Sequence, residues 1–366
     1  MTDTLSLRQL NRATLARQML LERQASPAAA AVERLAGLQA QQARPPYVGL
    51  WTRLRDFGRD DLAELIDRRA VVKATWVRAT LHLCTADDYL RLRSALQPML
   101  TKAWSGIAKR RGTDFDLEEV LTTGRRFIDE QPRTFAEISA MLTELLPSFD
   151  VGAMRYAIRT HLPMVQVPSD NPWSYSNKPA FTLAESWLGR PMAPEDGLRE
   201  LVMRYLTAFG PASVTDMQTW SGLPKLKDVF AELRPELRTY QDGRRELFDL
   251  PDRQLPGEDV PVPVRFLPEF DNLLLAHDKR QRVIADEHRS KVFLPGLRVR
   301  ATFLVDGFVA GGWKIEKAGK TATLVIEPFA SLARRDQIAL VEEGERLVRF
   351  AEPKAKSFAV RVEEPG

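Results

Sequence analysis

The sequence predicts an α+β protein: tandem winged-helix (helix-turn-helix) modules followed by a small C-terminal β-rich, barrel-like domain. Three observations carry this. Helix-forming signals near the N-terminus give way to a period-two stretch ending near residue 83, and that order, helices and then a hairpin, comes back twice. The returns are architectural, without strong residue identity between them. A proline-rich stretch over 255–263 then separates this part from a run of strand-like segments.

The first module is predicted over residues 1–112. Ser6-Leu7-Arg8-Gln9 has the pattern of a capping box, with Leu5 and Leu10 placed as a hydrophobic staple. Ser26-Pro27 marks a second helix start, a cap residue and then proline at the first helical position, and Val32, Leu35 and Ala36 share one face after it. A third helix is expected over 61–66. The period then changes to two over 71–78 and 80–83, which predicts a hairpin, and Thr85 is placed to cap the following helix.

The second module is predicted over 113–196, with a short helix starting at Thr134, another over 151–159 and an extended segment over 164–167. The third covers 197–256. Its helices begin near Ser213 and Leu226, and its hairpin turns at Asp242-Gly243. The C-terminal domain, 257–366, shows strands over 264–267, 298–304, 308–314 and 321–326, a helix over 331–345 and a last strand over 358–362. Asp306-Gly307 is a hairpin turn, and Gly311-Gly312 inside a strand predicts a bulge.

Composition narrows the chemistry. With 366 residues, of which 44% are hydrophobic, the chain can build sizeable cores without disulfides or metals. The one cysteine, Cys84, sits in an alternating stretch that suits a buried structural thiol, and the four histidines (His82, His161, His277, His288) lack metal-ligand spacing. No metal and no cofactor are expected. The first twenty residues have polar positions where a signal peptide needs an unbroken apolar run, so a cytoplasmic location is expected.

Net charge is +4, and the surplus lies early in the chain. Residues 1–60 hold nine Arg against five acidic residues, and residues 76–112 hold seven Lys or Arg against two Asp, whereas 258–366 is nearly balanced. Such a surplus suits a phosphate backbone, and it equally suits solvated helix faces.

Few residues announce chemistry. Glu118-Glu119 is explained by a helix start, where the macrodipole favours acids. The unusual place is Gly37-Leu38-Gln39-Ala40-Gln41-Gln42, three glutamines where the second helix should end. Residues two apart share a side only in extended backbone, so a joint role for Gln39 and Gln41 requires that the helix has already ended, for which Gly37 gives a reason. Capping or surface glutamines are the competing reading.

The segments Gly37-Leu38-Gln39-Ala40-Gln41, Gly49-Leu50-Trp51-Thr52-Arg53-Leu54 and Val77-Arg78-Ala79-Thr80-Leu81-His82-Leu83 carry a further signal. Through them the sequence resembles the bacterial AlkZ-like winged-helix DNA glycosylase family. Two later segments extend it, residues 267–277 (LPEFDNLLLAH) and residues 304–313 (LVDGFVAGGW). The resemblance covers essentially the whole chain. It implies a curved clamp of winged helices on DNA and a glycosylase acting on bulky or cross-linked N-alkylated purines, with Gln39 and Gln41 as its Gln-x-Gln pair. The small Ala40 stands where a larger apolar residue occurs in the family, which leaves the pocket shape open.

An amide is a poor general base at neutral pH. An N7- or N3-alkylated purine is already cationic, however, and departs without protonation. What remains is to hold a water and face an oxocarbenium-like sugar, which two side-chain carbonyl oxygens can do if neighbours hold their amide groups.

Candidate DNA contacts are Arg78 and His82, expected on one strand face, the basic run Lys109-Arg110-Arg111, Trp51 and Asp271. Each has a structural alternative: hairpin packing, a solvated helix end, a core aromatic and a turn cap respectively. Trp76 and Tyr47 are expected in cores. The expected activity is monofunctional, the expected partner double-stranded, damaged DNA, and the expected state a monomer with no membrane association or obligatory protein partner. The alternative is a non-catalytic winged-helix DNA-binding protein such as a transcriptional regulator; a scaffold that binds protein is a third possibility.

Overall fold

The computed structural model describes residues 3–112, 114–194 and 197–365. The chain opens with α1 (Leu7–Arg17), α2 (Ala28–Arg34), β1 (Leu38–Gln39), α3 (Pro45–Trp51), α4 (Arg59–Asp67), β2 (Val71–Thr75) and β3 (Leu81–Thr85). Ser6 and Gln9 form the expected capping box on α1, and Leu5 and Leu10 are buried in one cluster. Pro27 itself is the cap residue of α2, without a side-chain bond, so Ser26 is not the cap. Helix α3 adds a fourth helix to the three expected before the hairpin. Its prolines sit in the first turn, where a missing N–H costs nothing.

Next come α5 (Ala86–Leu92), capped by Thr85, then α6 (Gln97–Arg111), α7 (Leu117–Glu130), β4 (Arg133–Thr134), α8 (Phe135–Leu145), α9 (Val151–His161), β5 (Met164–Gln166), β6 (Ala180–Leu183) and α10 (Ala184–Leu188). A third group holds α11 (Leu198–Phe209), α12 (Val214–Ser221), α13 (Lys227–Leu233) and the hairpin β7 (Arg238–Asp242) with β8 (Arg245–Asp249).

The first two groups share one six-stranded sheet, in the order β1-β3-β2-β5-β6-β4. Its centre is lined on one side by Leu38, Val71 and Leu83, against α2, α3 and α4. Val72, Ala74 and Cys84 line the other side, with α5, α6 and the helices of the third group. Cys84 is a buried free thiol there.

The remaining elements are β9 (Arg265–Leu267), α14 (Arg289–Val292), β10 (Phe293–Leu294), β11 (Arg298–Val299), β12 (Thr302–Val305), β13 (Phe308–Ala318), β14 (Thr321–Pro328), α15 (Arg334–Ala351) and β15 (Ser357–Val362). Five of these strands form a sheet in the order β15-β14-β13-β12-β9. The barrel-like expectation is corrected here: among the described residues the sheet is open. The chain crosses over through α15 and adds β15 parallel to β14, so β15 and β9 remain separate edges. The register between β12 and β13 shifts at Phe303/Leu304, leaving Ala310 as the extra residue beside Gly311. Among the described residues no helix is long and apolar enough to cross a membrane.

Candidate active site

Helix α2 ends in two successive left-handed residues, Ala36 (φ 55°) and Gly37 (φ 89°). The N–H groups of Ala36 and Gly37 donate to the carbonyls of Glu33 and Val32, both at 3.0 Å, which closes the helix as a Schellman turn. Ala36 therefore takes the terminating position expected of Gly37. Gly37 is needed for a second reason: a Cβ there would lie 2.9 Å from the Leu83 carbonyl oxygen.

The chain leaves this turn as β1 and pairs antiparallel with β3, Leu38 opposite Leu83 and Gln39 opposite His82. The N–H of Ala40 continues the pairing to the Leu81 carbonyl at 2.7 Å. Alternation then sends Leu38 into the core under α3 and turns Gln39 to the opposite face, in a row with His82 and Ala74. Gln39 is 7% exposed there and His82 is fully buried.

Arg78 holds this face together. Its Nη2 donates to Gln39 Oε1 at 2.8 Å and to Asn272 Oδ1 at 3.1 Å, and its Nη1 donates to the Trp220 carbonyl at 2.7 Å. Asn272 Nδ2 in turn donates to the Gly37 carbonyl at 3.1 Å. One guanidinium thus joins the Gln-x-Gln strand, the third helical group and the segment after β9. Arg78 does not share a strand face with His82. It lies in the turn Val77–Ala79 with φ 56°, and Ala79 follows with the same φ. Two adjacent non-glycine residues in this region store strain of about 1–3 kcal/mol each, held by the bonds Arg78 makes.

Electrostatics follow from burial. Burial, helped by the Arg280 charge, pushes the Arg78 guanidinium down to about 10. His82 is pushed down to about 3, first by burial and then by the Arg78 charge, so its ring is neutral and cannot pair with a phosphate. Its Nδ1 lies 3.2 Å from the Thr80 carbonyl, which assigns the proton to that nitrogen.

Gln41 is exposed, and its Oε1 accepts from the Leu81 N–H at 3.0 Å. Arg78 and a backbone N–H are both donors only, so the two glutamine oxygens face them. This reverses the expected arrangement: neighbours hold the oxygens and leave the NH₂ groups without those partners. Each oxygen keeps a second lone pair for a water hydrogen.

The other expected residues lie elsewhere. Asp271 makes a buried two-pronged ion pair with Arg53, at 2.8 and 2.9 Å, and caps the turn at Leu273. Trp51 stacks on Phe350, with ring centroids 5.8 Å apart, beneath the Arg23 guanidinium at 4.5 Å. Trp76 and Tyr47 are in the cores. Lys109, Arg110 and Arg111 are the exposed C-terminal turn of α6, and Arg111 is paired with Asp150 at 2.7 Å. Among the described residues no group of three or more His, Cys, Asp or Glu side chains is arranged to hold a metal ion.

A family model described as DNA glycosylase AlkZ-like matches residues 32–350, most of the chain and all of the site above. The chain belongs to the AlkZ-like DNA glycosylase family. A relative from Streptomyces sahachiroi, an interstrand DNA cross-link repair glycosylase, is 27% identical over 371 residues, spanning 94% of this chain and 96% of its own. The solved structure of Streptomyces sahachiroi DNA glycosylase AlkZ superposes with a TM-score of 0.80 at 25% identity, covering 98% of this chain and 100% of that one. As an AlkZ-like protein the chain is a DNA-binding DNA glycosylase of DNA repair.

Sequence reading missed two parts of this AlkZ-like site. The bonds from Arg78 to Gln39 and Trp220 depend on a left-handed turn that no local pattern announced. Asn272 was visible only as a letter in a family segment.

Proposed function

We propose that this AlkZ-like glycosylase hydrolyses the N-glycosidic bond of cationic N-alkylated purines, bulky or cross-linked ones included, in double-stranded DNA. Gln39 and Gln41 are its water-holding pair, and the helix-plus-hairpin groups act as winged-helix modules along the duplex. The observation that carries the reading is the fixing of both glutamine oxygens, by Arg78 and by the Leu81 N–H, on a strand that has just left a helix. Held oxygens with one free lone pair each can orient water without acting as bases. Such a site is adequate for a base that already carries positive charge and inadequate for an ordinary purine. The repair of interstrand cross-links named for the Streptomyces sahachiroi relative supports the bulky end of this substrate range.

The test is release of base from a duplex oligonucleotide carrying one N7-methylguanine, comparing wild type with Gln39→Ala and Gln41→Ala. Abasic product from wild type, reduced in both variants, supports the assignment. Binding without release, with a bulkier adduct as well, would instead favour a protein that only recognises damage.

A further inference from the structure

Helix α9 turns one face inward, with Ala153, Met154, Ala157 and Ile158 fully buried. Its other face carries Gly152, Arg155, Tyr156 and Arg159, neighbours at helical spacing. The helix contains no Asp or Glu, so nothing on it balances the two arginines. Together with Ile107 and Arg111 of α6 and Phe135 at the start of α8, this face lines a cleft of about 330 Å³.

Among the described residues the partners of Arg155 and Arg159 are neutral. Arg155 Nη1 donates to Ser139 Oγ at 3.2 Å. Arg159 Nε donates to Thr75 Oγ1 at 3.4 Å, and its Nη2 donates to the Ala79 carbonyl at 3.3 Å. The third guanidinium is already matched: Asp150 accepts from Arg111 at 2.7 Å and from the Ala153 N–H. The cleft thus holds two unneutralised cations one helical turn apart, where like charges repel. Burial holds the Arg159 guanidinium below its ordinary value, and the Arg155 charge adds to this.

We propose that Arg155 and Arg159 clip one backbone phosphate of the duplex, whatever its base sequence. The inference rests on the reading above that the helical groups lie along DNA. A phosphodiester brings the missing negative charge and oxygens that match guanidinium forks, whereas a neutral base edge would leave the repulsion in place. The clip is tied to the glutamines through the backbone. Thr75 stands opposite Leu81, whose N–H holds Gln41, and Ala79 follows Arg78, which holds Gln39. Arg159 is anchored to both supports, so the phosphate it grips sets the register of the duplex over the Gln-x-Gln pair.

The experiment is affinity against salt concentration for two undamaged duplexes of unrelated sequence, with melting temperatures showing that each variant is folded. Arg155→Gln combined with Arg159→Gln is expected to bind both duplexes about 10-fold more weakly at about 0.1 M salt. The slope of log affinity against log salt should fall by about 1. Arg155→Gln alone, at an exposed position, should show a smaller loss of the same kind, which tests the clip even if Arg159→Gln folds poorly. Arg335→Gln removes an exposed charge on α15 and should leave affinity and slope as in wild type. Unchanged affinity and slope in the combined variant overturn the clip and leave the glycosylase reading intact. A loss confined to one of the two sequences also overturns it, because that marks a base contact. So does an equal loss in Arg335→Gln, since net charge alone would then be acting. A wild type without affinity for either duplex overturns the clip together with the duplex-binding reading.

Discussion

Arg78 Nη2 lies 2.8 Å from Gln39 Oε1, and this bond fixes which end of the Gln39 amide faces the protein. It has a kinetic consequence. Arg78→Ala frees the amide to rotate and removes the brace to Trp220 and Asn272, and a displacement on the scale of 1 Å costs about 100-fold in rate. Single-turnover base release by Arg78→Ala should fall by that order, and Arg78→Lys, which keeps charge but not the fork, should lie between. Equal rates for all three proteins would remove Arg78 from the site.

The Arg53–Asp271 pair makes a stability prediction. Both side chains are buried, so Asp271→Ala strands a guanidinium at a cost of about 3–5 kcal/mol. Denaturant unfolding should show that loss, and Arg53→Met combined with Asp271→Leu should recover part of it. If Asp271 were mainly a DNA contact, the single variant would keep its stability and lose affinity.

His82 predicts how stability changes with acid. Its folded value of about 3 lies below the ordinary 6.5, so the unfolded chain binds the proton that the folded chain refuses. Its contribution is fully present above pH 6.5 and is lost as pH falls toward 3. Asp88, raised to about 6 mainly by burial, acts with the opposite sign between its ordinary 3.8 and 6. Unfolding midpoints from pH 7 to 4 should therefore decline less steeply in His82→Gln than in wild type, while an unchanged slope would mean that His82 is not buried neutral.

Gly37→Ala places a methyl against the Leu83 carbonyl at a φ of 89°. Forcing a side chain into left-handed backbone costs roughly 1–2 kcal/mol, and the clash adds to it. The expected outcome is a lower melting temperature together with slower base release, because the turn also sets the start of β1.

Trp51 separates packing from DNA contact. Its stack on Phe350 and Arg23 predicts that Trp51→Ala loses about 2 kcal/mol of stability, while the dependence of DNA affinity on salt stays as in wild type. A large loss of affinity at unchanged stability would make it a base-stacking residue instead.

Much of the local structure was legible because it is written locally. The capping boxes at Ser6, Thr134 and Ser213, the cap at Thr85 and the turn at Asp242-Gly243 are each satisfied within a few residues. The extended backbone at Gln39 was legible from the spacing of Gln39 and Gln41 and from Gly37 before them. What escaped was long-range. Hydrogen bonding of β5 to β2 joins residues 91 positions apart, Ala74 and Val165, and no periodicity reports that. Helix α3 carried no start signal among those read, and Pro45-Pro46 serve as its first turn. The expected strand position of Arg78 failed because alternation cannot reveal a left-handed turn between two strands.

The shared sheet sets a distance. Gln39, His82, Ala74 and Val165 are successive partners across β1, β3, β2 and β5. Three strand spacings of about 4.8 Å place Gln39 roughly 14 Å from Val165, about four base-pair steps of B-form DNA. Because backbone pairing holds that span, insertions between residues 86 and 163 can lengthen the helices or loops without changing it. The row works as a ruler between Gln39 and the second helical group.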